Sequence, residues 1–159
     1  MKTYANINGQ QVDMAGVTGN RNFREAWSGV DSENVVTYDL ATVKTIVKGK
    51  INEWRDEQKV KPFSSAKGTF DADDESKVNI DGVSQAALMA TVTGAEFSQE
   101  WPDVNGTMVT FTAQEFMGLG MAILAHISSY YVEARTYKEL VDEAVDMDAV
   151  LAVLSTLDA

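Results

Sequence analysis

Asp71, Asp73, Asp74 and Glu75 set four carboxylates almost side by side, and the chemistry such a set suggests is cation binding. An EF-hand loop takes glycine at its sixth position and glutamate at its twelfth, because the chain must turn sharply and the last ligand must close the shell. Counted from Asp71, those positions hold Ser76 and Gly82. The pattern fails at both, so the acids read as helix caps and loop orienters, and no metal site is assigned. His126 is the only histidine. Acid–base or nucleophilic chemistry would set it against a serine or a carboxylate in a cleft. Ser129 and Glu133 follow on the same helical stretch, neighbours of a kind that helices commonly supply, so a structural or partly exposed histidine is expected.

The stretch "GVTGNRNFR" carries glycines and arginines without the spacing of either phosphate-binding loop. Tyr130, Tyr131 and Tyr137 suit helix–helix packing or an oligomer seam better than a pocket. No catalytic residue and no cofactor is assigned, and the expectation is a protein that is not an enzyme.

The elements around these residues follow from periodicity and punctuation. From Asp39, a fair N-cap, Val43, Val47, Ile51 and Trp54 recur every three to four residues, which predicts a helix to about Lys59; Pro62 disfavours helix at the residue before it. A brief extended piece should precede a second helix, capped by Asp73 or Asp74, carrying acids in its first turn and ending at Gly94. Its buried stripe is expected at Val78, Val83, Ala86 or Ala87, and Ala90, with Leu88 or Met89 at one margin.

"AEFSQEW" and "TMVTFT" flank an Asn-Gly turn and predict a β-hairpin. Thr112 and Glu115 then form a capping box that opens a long helix. Along it Phe116, Leu119, Ile123, Ile127, Tyr130, Ala134, Tyr137 and Val141 fall on one face, while Gly118, Gly120, Ala122 and Ala125 permit another helix to approach closely. A short helix from about Asp148 closes the chain.

The expected class is α+β, mostly helical: long helices packed with a β-hairpin, plus an extended N-terminal arm. The expected segments are an arm at 1–38, a connecting helix at 39–60, a helix–hairpin–long helix module at 61–145 and a short C-terminal helix at 146–159. The arm is poor in apolar residues and rich in glycine, asparagine, valine and threonine, so it gains order by lying on the rest of the chain or on a partner.

At 159 residues with 45% hydrophobic and 23% charged side chains, the chain can bury roughly 68–70% of its unfolded surface. Residues 1–60 balance eight cations with eight acids, whereas residues 61–159 set five cations against sixteen acids and carry the whole net charge of −11. That imbalance argues against nucleic acid and anionic membranes, which need clustered cations. There are no cysteines, which removes disulfides and thiol chemistry. No apolar run reaches the roughly 18 residues of a membrane span, and the start lacks a secretory apolar stretch, so the chain is expected to stay soluble where it is made.

The order of pieces carries a further signal. Trp54-Arg55-Asp56, Phe70-Asp71-Ala72-Asp73, Asn79-Ile80, Trp101, Thr107, Val109-Thr110 and the helix after Thr112 together resemble an uncharacterised domain family common in tail-region genes of tailed bacteriophages, over roughly residues 43–143. The "NRNFREAW" of the arm is similar to the starts of other small phage tail genes. The resemblance implies a non-enzymatic structural component of the tail, baseplate- or fibre-associated, made in the host cytoplasm and carried in the virion. A fibre-assembly chaperone absent from the mature particle is the alternative. It implies tail, baseplate or fibre proteins as partners, with a homo-oligomer possible through the long helix, and no catalytic residues to carry over.

On this reading the arm would meet its partner through Phe23, Arg24, Trp27 and Tyr38. Trp54, Arg55, Phe70, Asp71, Asp73 and Trp101 would anchor the fold, with Trp54 and Phe70 packed on the hairpin beside Trp101 and Arg55 paired to Asp71 or Asp73.

Overall fold

The computed structural model describes residues 4–7, 10–13, 37–38 and 40–157, with side chains from 40 onward. Three short strands come first: Tyr4–Ile7 (β1), Gln10–Asp13 (β2) and Thr37–Tyr38 (β3). β1 pairs antiparallel with β2, Ile7 opposite Gln10, and parallel with β3, Asn6 opposite Thr37. Most of the expected arm, including Phe23, Arg24 and Trp27, lies outside the described residues, and of Tyr38 only the backbone is described.

The remainder is the α+β, mostly helical arrangement expected, with four helices and two small antiparallel hairpins. The elements are Leu40–Gln58 (α1), Phe63–Ser65 (β4), Gly68–Phe70 (β5), Asp74–Thr93 (α2), Ser98–Pro102 (β6), Met108–Thr112 (β7), Ala113–Glu143 (α3) and Met147–Thr156 (α4). No helix among the described residues is long and apolar enough to cross a membrane.

Two compact units divide the chain. The first comprises Met1–Trp54 and Glu133–Ala159. Its core joins Val43, Val47 and Ile51 of α1 to Ala134 and Val141 of α3 and to Met147, Val150, Val153 and Leu154 of α4. Asp146 caps α4 by accepting from the Ala149 N–H at 2.9 Å, which leaves the helix to start at Met147, one residue before the expected point. Lys44 Nζ donates to the Asp142 carbonyl at 2.9 Å, Lys48 pairs with the Asp142 carboxylate, and Lys138 reaches Asn52. These contacts join residues about ninety positions apart.

The second unit is Arg55–Val132. β4 and β5 form a hairpin not foreseen in the sequence, Phe63 opposite Phe70 and Ser65 opposite Gly68. The chain leaves that turn at Gly68 with φ +142, a conformation L side chains rarely adopt. β6 and β7 form the expected hairpin, Trp101 opposite Val109. Its loop is held by Asp103, whose carboxylate accepts from the Asn105 and Thr107 N–H groups at 2.8 Å each and is held below its ordinary pKa by them, the Thr107 bond first. α2 begins and ends where expected: Asp73 accepts from the Ser76 N–H at 2.9 Å, and Gly94 closes the helix at φ +70.

The core of this unit is aromatic. Phe70 lies 5.7 Å from Phe111, Phe111 lies 5.4 Å from Phe116, and Trp101 meets Phe116 edge-on at 5.5 Å. Such edge-to-face pairs add to the stabilisation from burying the rings. Leu119 and Ile123 of α3 and Ile80 and Ala87 of α2 complete the core. The stripe expected on α2 needs correction at its start: Val78 is 69% exposed, whereas Ile80 is fully buried. Burial follows Ile80, Val83, Ala87 and Ala90, a run of three- and four-residue steps that leaves Val78 and Ala86 on the outer face.

Candidate functional site

The second unit holds Arg55, Phe70, Asp71, Asp73 and Trp101 of the residues singled out by sequence, and two of its concave surfaces differ in chemistry. Where the start of α2 faces β6, Asp71, Asp73, Glu75, Ser76, Asn79, Trp101 and Pro102 line a polar pocket of about 290 Å³. Asp73 is committed to its helix: its two carboxylate oxygens accept from the Ser76 N–H and hydroxyl at 2.9 Å each, and the Ser76 N–H bond leads in holding it below its ordinary pKa. The pocket therefore joins carboxylates, one amide and an indole edge, a chemistry suited to donors and cations. No group of three or more histidines, cysteines or acids is placed to hold a metal ion among the described residues.

The other surface is an apolar groove of about 530 Å³ on the outer side of α2 and α3. Lys77, Val78, Asp81, Gln85 and Leu88 flank it from α2 and Met117, Met121 and Leu124 from α3, so its charged lining is one cation and one acid, and Ser84 and Gly120 meet within it. Ser84 Oγ is buried there without a hydrogen-bond partner among the described residues.

The expected pairing of Arg55 with Asp71 or Asp73 is corrected. Arg55 binds the Asp56 carboxylate at 2.9 Å, Lys59 binds the same carboxylate at 2.9 Å, and the Arg55 guanidinium lies 4.6 Å over the Tyr131 ring. Hydrogen bonds from Lys59 first and Arg55 second hold Asp56 below its ordinary pKa. The local pair wins because Asp56 is adjacent on the same helix end, while Asp73 already caps α2.

The expected packing of Trp54 is corrected too. Trp54 packs edge-on against Tyr137 at 5.4 Å, in the first unit's core, whereas Phe70 packs on the hairpin through Phe111 in the second. Trp54 and Phe70 thus serve separate cores.

His126 is stacked, 5.9 Å from Phe63 and 5.1 Å from Tyr130, with Nε2 buried and unpartnered among the described residues. Ser129 Oγ donates to the His126 backbone carbonyl at 2.7 Å, and Glu133 accepts from the Tyr137 hydroxyl at 2.8 Å, raising the pKa of that phenol. Neither expected neighbour is bonded to the imidazole ring.

A family model for a domain of unknown function (DUF4376) matches residues 42–155. The chain belongs to that family. No curated protein and no solved structure matches it. The DUF4376 match extends past the resemblance noted over 43–143 and takes in α4, whose Val150 and Leu154 complete the first unit's core.

Sequence reasoning missed the exposed apolar face of the DUF4376 domain. Its signal was present: Val78, Gln85 and Val92, with Asp81 and Leu88, repeat every seven residues along α2. It was hidden because the same helix carries a second apolar stripe, through Ile80 and Ala87, that faces the core.

Proposed function

We propose that this protein is a non-enzymatic structural component of a bacteriophage tail, associated with the baseplate or tail fibre and docking through residues 1–38, with Phe23, Arg24, Trp27 and Tyr38 as contact residues. The phage setting rests on the resemblance carried by Trp54-Arg55-Asp56, Phe70 to Asp73, Trp101 and the "NRNFREAW" of the arm. The observation that favours an assembly role is the outward placement of Val78, Leu88, Val92, Met121 and Leu124, each more than half exposed on two neighbouring helices. Contiguous apolar patches of this kind mark protein contacts on otherwise polar surfaces.

The acidity of residues 61–159 also fits a fibre-assembly chaperone, which binds a fibre during folding and then leaves. Mass spectrometry of purified virions separates the two. A structural component is present at a fixed ratio to known tail proteins; absence from the particle, with improved recovery of soluble fibre on co-expression, selects the chaperone.

A further inference from the structure

We infer that Asn105-Gly106, at the turn of the β6–β7 hairpin, is a site of spontaneous deamidation through a succinimide, and that the Asp103 carboxylate restrains the reaction by holding the turn. The inference concerns this turn alone and goes beyond the tail assignment.

The residue types supply the chemistry. Asparagine is a thermolabile side chain, and a glycine after it presents a backbone nitrogen with no Cβ in the path of attack. Asn105 and Gly106 are both exposed, so solvent reaches each reacting group. The Gly106 nitrogen gives up its proton to solvent base and attacks Cγ of Asn105. The new C–N bond closes a succinimide ring, the bond from Cγ to the side-chain nitrogen breaks, and that nitrogen leaves as ammonia with a proton taken from water. Water then opens the ring at either carbonyl, giving aspartate or isoaspartate. One water is consumed for each ammonia released.

The turn governs how readily this happens. The Gly106 N–H donates to the Asp103 carbonyl at 2.9 Å, so the attacking nitrogen is engaged in the folded hairpin. The Asp103 carboxylate accepts from the N–H groups on either side of it, Asn105 and Thr107, at 2.8 Å each, and the Asp103 N–H reaches the Thr107 carbonyl at 2.9 Å. Attack on Cγ requires the Gly106 nitrogen to leave its acceptor, and these bonds oppose that local opening. The Val104 N–H, bonded to the Thr69 carbonyl at 3.1 Å, ties the same turn to β5. Isoaspartate adds one carbon to the backbone between strands whose register, Pro102 opposite Met108, is fixed by loop length. The product thus works against the hairpin that restrained its formation.

The test incubates the full chain under warm, mildly alkaline conditions and digests it with a glutamate-specific protease. This releases Trp101–Glu115, in which Asn105 is the only asparagine. Mass spectrometry reads conversion of amide to acid, and chromatography separates aspartate from isoaspartate. A synthetic peptide of residues 101–115 is the unrestrained reference, and it should convert at least about tenfold faster than the full chain. Asp103→Ala in the full chain should convert roughly tenfold faster than the parent, because bonds to a charged acceptor are lost. Asp103→Asn keeps an accepting oxygen and should stay near the parental rate. Amide hydrogen exchange at Gly106 should rise in Asp103→Ala alone, while the helical circular dichroism of both variants matches the parent.

Conversion in the peptide with none at Asn105 in the full chain or in Asp103→Ala overturns the site. Equal rates in the parent and Asp103→Ala overturn the role of the carboxylate, as does a gain in Asp103→Asn as large as that in Asp103→Ala.

Discussion

A methyl group placed on the Gly120 Cα would lie 2.5 Å from the Ser84 hydroxyl oxygen and 3.2 Å from the Ser84 Cβ. Both distances are shorter than ordinary van der Waals contact, so the absence of a side chain at Gly120 sets how closely α2 and α3 approach. Gly118, two positions earlier, meets nothing within 4 Å.

That contrast gives the first prediction. Gly118→Ala should stabilise the protein by up to about 1 kcal/mol, because alanine restricts the unfolded chain and favours helix. Gly120→Ala should lose that gain and fall below Gly118→Ala in urea denaturation. Adding Ser84→Ala should restore part of it, since the hydroxyl is the closer of the two clashes. Equal stability of the two single variants would show that Ser84 moves aside at no cost.

Phe70 is fully buried, whereas Trp54 retains some exposure beside Tyr137. Phe70→Ala should therefore destabilise by about 3–5 kcal/mol, the range for a large aromatic removed from a packed core, and Trp54→Ala by less. Chemical denaturation of the two variants, read by circular dichroism, checks the order. An unchanged melt for Phe70→Ala would be incompatible with the aromatic core as described.

Asp73 is the N-cap of α2 and accepts from both the N–H and the hydroxyl of Ser76. Asp73→Ala should cost about 1 kcal/mol and Asp73→Asn much less, because asparagine retains the accepting oxygen. The same comparison at Asp71, which caps no helix, should show no such rescue pattern.

Glu115 is held at a pKa of about 2, first by the Lys67 ammonium at 2.7 Å and then by the Thr112 N–H and hydroxyl, against an ordinary value of 4.5. A carboxylate depressed on folding contributes stability that is present above its unfolded pKa and is lost as pH falls through the folded value. Asp56, Asp73 and Asp103 are shifted in the same direction. The Tm should accordingly drop as pH is lowered from about 4.5 toward 2. Glu115→Gln should lower the Tm at neutral pH and narrow its difference from the parent over that acid window. A difference that stayed constant to pH 2 would contradict the Lys67–Glu115 coupling.

Local sequence determined the helix ends and the β6–β7 hairpin, whose causes lie within a few residues. Asp73 and Gly94 bound α2, Thr112 and Glu115 open α3, the Asp103 loop closes the β6–β7 hairpin, and the long stripe from Phe116 to Val141 fixes the inner face of α3. Each depends on short-range hydrogen bonds or helical spacing, which are written in neighbouring residue types.

Tertiary structure decided what depends on partners far apart in the chain. It sent Trp54 to Tyr137 and not to Phe70, joined Lys67 to Glu115, and chose Ile80 over Val78 as the buried start of α2. An apolar stripe in a sequence shows that a helix has a face to cover but not which of two faces meets the core. On α2 both stripes exist, and it is the packing of Ile80 and Ala87 against Phe70, Phe111, Phe116 and Leu119 that puts one inside while the other remains open as the groove.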